Sequence, residues 1–144
     1  MPDVFSPAKR SWIMRQVRSR DTKPEMVVRR YLHAHGFRFR LHRDDLAGKP
    51  DIVLPRYKTV VFVHGCFWHG HLGCKHSDLP SSNRDYWERK IDRTMIRDRR
   101  NARALRRQGW QVLTLWECAI KDERTLQRRL LTPLRSVSRG REGP

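Results

Sequence analysis

The sequence predicts an α/β protein in which helices flank a mixed β-sheet. The order of its segments indicates this class, because one helix precedes three short strands, a long helix, a fourth strand and a last helix. The continuous apolar runs TVVFVH and WQVLTLW are typical of strands that are buried on both faces. The predicted helices cover 22–36, 84–108 and 122–134, and the predicted strands cover 37–42, 51–54, 59–64 and 110–116.

The first predicted helix begins within the sequence DTKPE. Thr22 is a suitable N-cap, and Pro24 is tolerated in the first turn. Glu25 stands three residues after Thr22, which is the spacing of a capping box. Gly36 is expected to end the helix.

The three strands that follow are short. FRFRLH alternates between apolar and polar residues, which places Phe37, Phe39 and Leu41 on one face. The segments 51–54 and 59–64 are separated by a tight turn, so we expect them to form a hairpin-like pair.

The longest helix is predicted over 84–108, and Asp122 can cap the last helix. Apolar residues recur in the long helix at every third or fourth position and define a buried face. These residues are Trp87, Ile91, Met95, Ala102 and Leu105.

The chain length favours one domain, which we place at 21–135. Residues 1–20 form a basic arm with a sparse apolar pattern, and we expect this arm to become ordered on a DNA partner. We expect the tail 136–144, SVSRGREGP, to be disordered.

The chain is strongly basic: 32 Lys and Arg against 15 Asp and Glu give a net charge of +17. Such a charge disfavours the compact state by self-repulsion, so a polyanionic partner is expected, and nucleic acid is the leading candidate. No apolar run is long enough for a membrane span, and no signal peptide is visible at the start. We therefore expect a cytoplasmic, nucleoid-associated protein that does not act at a membrane.

Three cysteines and one histidine could form a four-coordinate structural zinc site, which would attach a long loop to the end of the sheet. His69 or His76 could replace the histidine, because spacing alone does not choose among them. The four ligands of this set are Cys66, His71, Cys74 and Cys118.

Several acidic and histidine residues are candidates for catalysis. Asp51 precedes one strand and His64 ends the next, so the two can lie near each other at one end of the sheet, where a carboxylate could hold Mg²⁺. Asp98 lies on the predicted buried face of the long helix and needs a cation, a metal or a donor as its partner. His69 could act as a general base, and Glu25 could present its carboxylate to a neighbouring site.

Phe67 and Trp68 are adjacent on a polar loop, so we expect at least one of them to be exposed. Exposed aromatic rings on a basic protein are typical of stacking on bases or wedging between them. Alternatively, these rings form a small satellite core, which Trp87 could join in either arrangement.

Together these stretches resemble the very-short-patch-repair (Vsr-type) DNA mismatch endonucleases over about residues 11–120, and the GCFWH block is the most specific part. The matching segments are DTKPE (21–25), GKPDIVLPRYK (48–58), VFVHGCFWHGH (61–71), YWERKI (86–91), RDRRN (97–101) and GWQVLTLWEC (109–118).

The resemblance implies a restriction-endonuclease-like fold with a structural zinc site. It implies Mg²⁺-dependent nicking of one DNA strand, 5′ to the thymine of a T·G mismatch that arises from deamination of 5-methylcytosine. Asp51 would hold Mg²⁺ with the backbone carbonyl of Val63, and His69 would be the general base or acid, with Glu25 in its hydrogen-bond reach. Two further residues would complete the site around phosphates and waters: His64 and Asp98.

The resemblance also implies that His71, and not His69, is the zinc ligand. It implies that an aromatic wedge enters the DNA beside the mismatch and that Met14 contacts the DNA from the other groove. The implied partners are double-stranded DNA with a T·G mismatch, mismatch-repair proteins and, functionally, a cytosine-5 DNA methyltransferase; a monomer suffices to nick one strand. The wedge residues are Phe67, Trp68 and Trp87.

A second function class also fits the residues, namely a zinc-stabilised nucleic-acid-binding module without enzymatic activity. This alternative explains the charge, the cysteines and the aromatic rings. It does not explain a carboxylate on the buried face of a long helix beside histidine-bearing segments.

Overall fold

The computed structural model describes residues 22–71, 73–74 and 78–142. The basic arm 1–20, with Met14, and the alternative zinc ligand His76 lie outside the described residues. The helices are α1 (Lys23–Ala34), α2 (Arg84–Arg107), α3 (Glu123–Leu126) and α4 (Thr132–Glu142). The strands are β1 (Arg40–Leu41), β2 (Ile52–Leu54), β3 (Thr59–His64) and β4 (Gln111–Trp116).

The four strands form one mixed sheet in the order β1-β2-β3-β4, which confirms the predicted α/β class. β1, β2 and β3 pair antiparallel, and β3 pairs parallel with β4. A short 3-10 turn, Pro55–Tyr57, closes the β2–β3 hairpin, and Lys58 ends that turn with φ +49. The parallel pair requires a crossover, which α2 provides.

The first helix begins as the sequence predicts. The Thr22 side chain accepts a hydrogen bond from the Glu25 N–H at 3.3 Å, which is one half of a capping box. The Glu25 carboxylate is directed to Arg29 on the next turn of the helix. Gly36, with φ +80, follows the end of α1.

The first strand is shorter than predicted, because only Arg40 and Leu41 pair with β2. Phe37 and Phe39 pack against the main core, but Leu41 is 40% exposed, so the predicted common face of these three residues is only partly correct. The strand stops because His42 adopts φ +50, a left-handed conformation that an extended strand does not accommodate.

The sheet is covered unequally on its two faces. Twelve buried residues form the core on the face that packs against α1, α3 and α4, and five form the core on the face that packs against α2. We call these the α1 face and the α2 face. The larger core includes Val28, Leu32, Val61 and Leu134. The smaller α2-face core leaves room for a cavity.

The long helix α2 buries Trp87, Ile91 and Leu105 as predicted. Met95 and Ala102, which were predicted on the same buried face, are only partly buried and line the cavity between α2 and the sheet. Within the described part of the chain, no helix has the length and apolar character needed to cross a bilayer.

The C-terminal helices pack on the α1 face. Asp122 caps α3 by accepting a hydrogen bond from the Arg124 N–H at 3.1 Å, as predicted. A π-helical turn, Gln127–Leu131, joins α3 to α4, and α4 continues to Glu142. The helix therefore includes part of the segment 136–144, for which disorder was predicted.

Candidate active site and metal centre

Asp51 lies directly before β2, at the end of the sheet where β3 finishes. Its Oδ2 accepts a hydrogen bond from the Val63 N–H at 2.7 Å. Burial raises the pKa of Asp51 to about 7; the Val63 N–H opposes that rise, and the charge of Glu25 adds to it. A buried carboxylate with a raised pKa disfavours its ionised form, and a cation at this position would relieve that cost.

Glu25 and His42 join Asp51 in one group, whose potential ligand atoms all lie within 4.8 Å of one another. We call these three residues the Asp51 group. Glu25 is only 2% exposed, and the Nε2 of His42 lies 3.4 Å from its Oε2. Two carboxylates and one imidazole at this spacing could hold a divalent cation.

His42 is a site residue that the sequence reasoning missed. The register pairs Leu41 with Ile52, and the His42 N–H lies 3.4 Å from the Asp51 carbonyl oxygen. An antiparallel pairing of FRFRLH with the strand after Asp51 was the available signal, because such a register brings residue 42 to residue 51.

A second group forms on the α2 face. The Nδ1 of His69 lies 2.6 Å from Oδ2 of Asp98, and the rings of His64 and His69 stack with centroids 3.8 Å apart. The possible ligand atoms of these three residues also lie within 4.8 Å of one another, and we call the residues the His69 group. Asp98 is half-buried. The partner that its position on α2 requires is His69.

The protonation of the His69 group differs from that of Asp51. Burial lowers the pKa of His64 to about 4, and the nearby charge of His69 adds to this effect. Burial alone would raise the pKa of Asp98, but the hydrogen bond and charge of His69 outweigh it, and the pKa is lowered. Among the described residues, no hydrogen-bond partner reaches the buried Nδ1 of His64.

The two groups lie at the same end of the sheet. Asp51 and His64 lie at this end as predicted, because Ile52 pairs with Val61 in the β2–β3 hairpin. Successive side chains of β3 alternate between faces, which separates His64 from the α1 face. His69 pairs with Asp98, and Glu25 pairs with Arg29.

The three cysteines and His71 converge at the end of β4. Their possible ligand atoms lie within 4.8 Å of one another, and the cysteines form no disulfide. The Nδ1 of His71 lies 3.4 Å from Sγ of Cys118, and its ring stacks on Trp116. Among the residues that the structure describes, His71 is the histidine of this set, and His69 pairs with Asp98. We call the set the cysteine cluster: Cys66, His71, Cys74 and Cys118.

The donors of the cysteine cluster suit a four-coordinate zinc ion, since three sulfur atoms and one imidazole nitrogen match the ligands of structural sites. Burial raises the pKa of the Cys66 thiol to about 12, and the neighbouring Cys118 and Cys74 side chains add to it, although a Cys118 backbone hydrogen bond acts the other way. A bound cation would reverse this effect, because metal ligation requires the thiolate.

Phe67, Trp68 and Trp87 form a cluster of edge-to-face and tilted rings with centroids 5.1 to 5.9 Å apart. Trp87 is only 4% exposed, and the other two rings are half-buried. The expectation that at least one loop ring is exposed is therefore wrong, because the rings pack on one another. Lys90 Nζ lies 5.6 Å from the Trp68 ring centroid, at the edge of this cluster.

The loop that carries His69 packs closely against α2 at Gly70. Gly70 has φ +63, and a Cβ there would lie 2.6 Å from Ile91 Cγ2 and 2.8 Å from Met95 Sδ. Beside this contact, a cavity of about 580 Å³ lies between α2 and the sheet, with the His69 group along its wall and Arg99, Arg103 and Arg106 among its other lining residues. Glycine at position 70 thus allows the loop to place His69 at this cavity.

A mixed sheet with carboxylate and histidine groups at one end, on a chain of charge +17, defines a candidate nucleic-acid hydrolase. The family model described as DNA mismatch endonuclease Vsr matches residues 2–76. The type II nicking enzyme V.XorIIP of Xanthomonas oryzae pv. oryzae is 52% identical over 90% of this chain and 95% of its own length. The chain belongs to the Vsr family of DNA mismatch endonucleases.

Two other relatives agree with this assignment. The type II nicking enzyme V.NmeAIP of Neisseria meningitidis is 44% identical, over 95% of this chain and 97% of its own length. The DNA mismatch endonuclease Vsr of Escherichia coli is 39% identical, over 92% of this chain and 84% of its own length. Family membership favours an endonuclease over the alternative of a non-enzymatic binding module.

Proposed function

We propose that this protein nicks one strand of duplex DNA 5′ to the thymine of a T·G mismatch and thereby starts very short patch repair. The observation that supports this most directly is the buried Asp51 carboxylate, at the same end of the sheet as the His69–Asp98 pair. One similar protein is named a type II nicking enzyme and another a DNA mismatch endonuclease. These names support a nicking activity and a mismatched substrate.

Asp51 is the proposed ligand for Mg²⁺, together with the backbone carbonyl of Val63. The fit rests on the buried Asp51 carboxylate. Its raised pKa shows that burial disfavours the ionised form, and a bound cation would compensate the negative charge. When bound, Mg²⁺ would supply positive charge beside the scissile phosphate and activate a water molecule.

His69 is the proposed general base or acid. Asp98 accepts from Nδ1 of His69, which fixes the tautomer and directs Nε2 toward the substrate side of the group. In this arrangement Asp98, and not Glu25, orients the imidazole. Glu25 instead acts on Asp51 through the electrostatics of the Asp51 group.

His64 is proposed to contact a phosphate or water through its imidazole ring, which lines the cavity. Its lowered pKa keeps the ring neutral near pH 7, so it can donate one hydrogen bond without adding charge. The stacked ring of His69 limits the orientations of His64.

The aromatic cluster is the proposed wedge. Phe67 and Trp68 would open the base stack beside the mismatch, and the buried Trp87 would support them from α2. A wobble pair stacks less well than a normal pair, so unstacking there costs less. The basic arm with Met14 is proposed to contact the other groove.

Zinc is the proposed occupant of the cysteine cluster, with a structural role. It would hold the loop that carries His69 and Trp68 against the end of β4, where Cys118 follows the strand. Four protein ligands leave no open coordination position for substrate. Monomeric action, mismatch-repair partners and a link to a cytosine-5 methyltransferase complete the proposal.

The test is a nicking assay on a labelled duplex with one T·G pair in several methylase-type contexts, with Mg²⁺ present. We expect a nick on the thymine strand, and none in the matched T·A duplex. Asp51→Ala should abolish nicking but retain DNA binding, whereas Asp44→Ala, at an exposed carboxylate, should nick normally. Equal cutting of T·G and T·A duplexes would contradict mismatch specificity, and normal cutting by Asp51→Ala would contradict the metal assignment.

A further inference from the structure

Arg29 places a positive charge inside the Asp51 group. It lies on α1, one turn after Glu25, and its side chain is only 12% exposed. The Nη2 atom of Arg29 lies 2.9 Å from Oε2 of Glu25 and 3.0 Å from Nε2 of His42. One guanidinium nitrogen therefore contacts two of the three atoms that could coordinate a cation here.

The contact between Arg29 and His42 fixes the roles of both side chains. A guanidinium remains protonated in proteins and has only donors, so Nη2 of Arg29 donates and Nε2 of His42 accepts. With Nε2 as the acceptor, the ring N–H that His42 can donate is the one on Nδ1. The lone pair of Nε2 is directed at Arg29, which leaves it unsuited to bind a metal ion at the same time.

The backbone of His42 supports this arrangement. Its φ of +50 lies in the left-handed region, which is uncommon for residues other than glycine and costs free energy. The His42 N–H meanwhile lies 3.4 Å from the Asp51 carbonyl oxygen. The strained conformation thus brings the His42 ring to Arg29 on one side and ties its backbone to Asp51 on the other.

The charge of Arg29 also reaches Asp51. Arg29 pairs with Glu25 at 2.9 Å, and Glu25 shares the Asp51 group with the Asp51 carboxylate. Arg29 therefore compensates one of two buried negative charges. With Glu25 compensated in this way, Asp51 is the carboxylate left to attract a further cation.

We infer that Arg29 is a positioning residue: held by Glu25 and His42, it occupies the cation position beside Glu25 and restricts the metal ion to Asp51. This inference rests on the proposed function, in which Mg²⁺ binds at Asp51. A fixed positive charge repels a nearby divalent ion, so Arg29 lowers the Mg²⁺ affinity of the Asp51 group. The same charge excludes the ion from the position beside Glu25 and leaves Asp51 as the place where it binds. Removing this charge should tighten Mg²⁺ binding and at the same time weaken nicking.

The experiment measures Mg²⁺ binding by isothermal titration calorimetry without DNA, in parallel with nicking. It uses the full-length chain at pH 8.5, so that protons compete little with the metal. Arg29→Gln removes the charge, Arg29→Lys retains it, and Arg30→Gln removes a charge from the exposed neighbouring position on α1. We expect Arg29→Gln to bind Mg²⁺ about tenfold more tightly than the wild type. Arg29→Lys and Arg30→Gln should stay close to the wild type in metal affinity.

The outcomes separate this inference from the proposed function. If the wild type binds Mg²⁺ and nicks DNA but a folded Arg29→Gln binds no more tightly, the inference is wrong and the proposed function stands. Equal affinities of Arg29→Gln and Arg29→Lys would likewise contradict a role for charge. If the wild type neither binds Mg²⁺ nor nicks, both fail. If Arg29→Gln unfolds without metal, refolding on addition of Mg²⁺ supports the inference, and failure to refold at any Mg²⁺ concentration contradicts it.

Discussion

The Asp51 group and the His69 group contain the same kinds of residues at the same end of one sheet, but their electrostatics differ. In the Asp51 group, burial raises the pKa of Asp51 to about 7, and the charge of a second carboxylate adds to this effect. In the His69 group, an imidazole faces Asp98 and lowers its pKa despite partial burial. Burial and the partner of a carboxylate together decide whether it is suited to receive a cation or to orient a base.

The largest expected effect distinguishes the two groups by metal binding. Asp51→Asn should reduce nicking below detection and abolish calorimetric Mg²⁺ binding, because it removes the proposed anionic ligand. DNA binding, measured by electrophoretic mobility shift, should persist. If Asp51→Asn still bound Mg²⁺, the ion would have to bind at another position. The proposed difference in metal binding between the two groups would then be wrong.

Asp98→Asn should have the next largest effect, with an opposite pattern. Nicking should fall by about 10²- to 10⁴-fold, the range typical of a lost general base, because His69 loses the carboxylate that orients it. Mg²⁺ affinity should change little. The matched control is Asp92→Asn, at an exposed carboxylate on α2, which should nick like the wild type. A large loss of Mg²⁺ affinity in Asp98→Asn would show that the two groups are one site.

Loss of the cysteine cluster should affect the His69 group selectively. His69 lies on the loop between Cys66 and His71, whereas Asp51 lies beside β2. Cys118→Ser should therefore reduce nicking and lower the unfolding temperature by several degrees, with Mg²⁺ binding at Asp51 retained. Zinc content by atomic absorption checks the cause, and a full complement of zinc in an inactive Cys118→Ser would contradict it.

The smallest expected effects are on stability as a function of pH, measured by thermal unfolding without metal. The folded pKa of Asp51, about 7, exceeds its ordinary value, so its contribution is present at low pH and is lost as the pH rises through 7. The folded pKa of His64, about 4, lies below its ordinary value, so its contribution is present above pH 6.5 and is lost as the pH falls through 4.

Asp51→Asn should therefore remove the loss of stability on the alkaline side, and His64→Gln should reduce the loss on the acidic side. Each effect should amount to no more than a few kcal/mol at its limit. An unchanged pH profile in either variant would assign the titration to another residue.

Local patterns predicted the parts of the fold that depend on short-range chemistry. The Thr22 cap, the β2–β3 hairpin and the convergence of the cysteine cluster follow from spacing and turn residues, and the structure agrees with each. The same holds for Asp51 and His64 at one end of the sheet. These features need only the periodicity of helices and strands.

Side-chain partners were harder to predict, because they depend on which face of the sheet a residue occupies. The role of His42 follows from the register of β1 and the left-handed backbone at residue 42, which alternation in FRFRLH does not reveal. The partner of His69 follows from the packing of its loop on α2. The burial of Trp87 with the loop rings depends on packing between distant segments. Sequence spacing contains little information about such contacts.

Gly70 limits how the loop can evolve or be redesigned. A methyl group there would collide with the side chains of Ile91 and Met95, and the left-handed backbone disfavours any residue with a Cβ. Randomised libraries of residues 67–71 selected for function should consequently return glycine at position 70 even when its neighbours vary. Relief of the collision would need smaller residues at both positions 91 and 95, and the left-handed backbone would still disfavour a side chain at position 70.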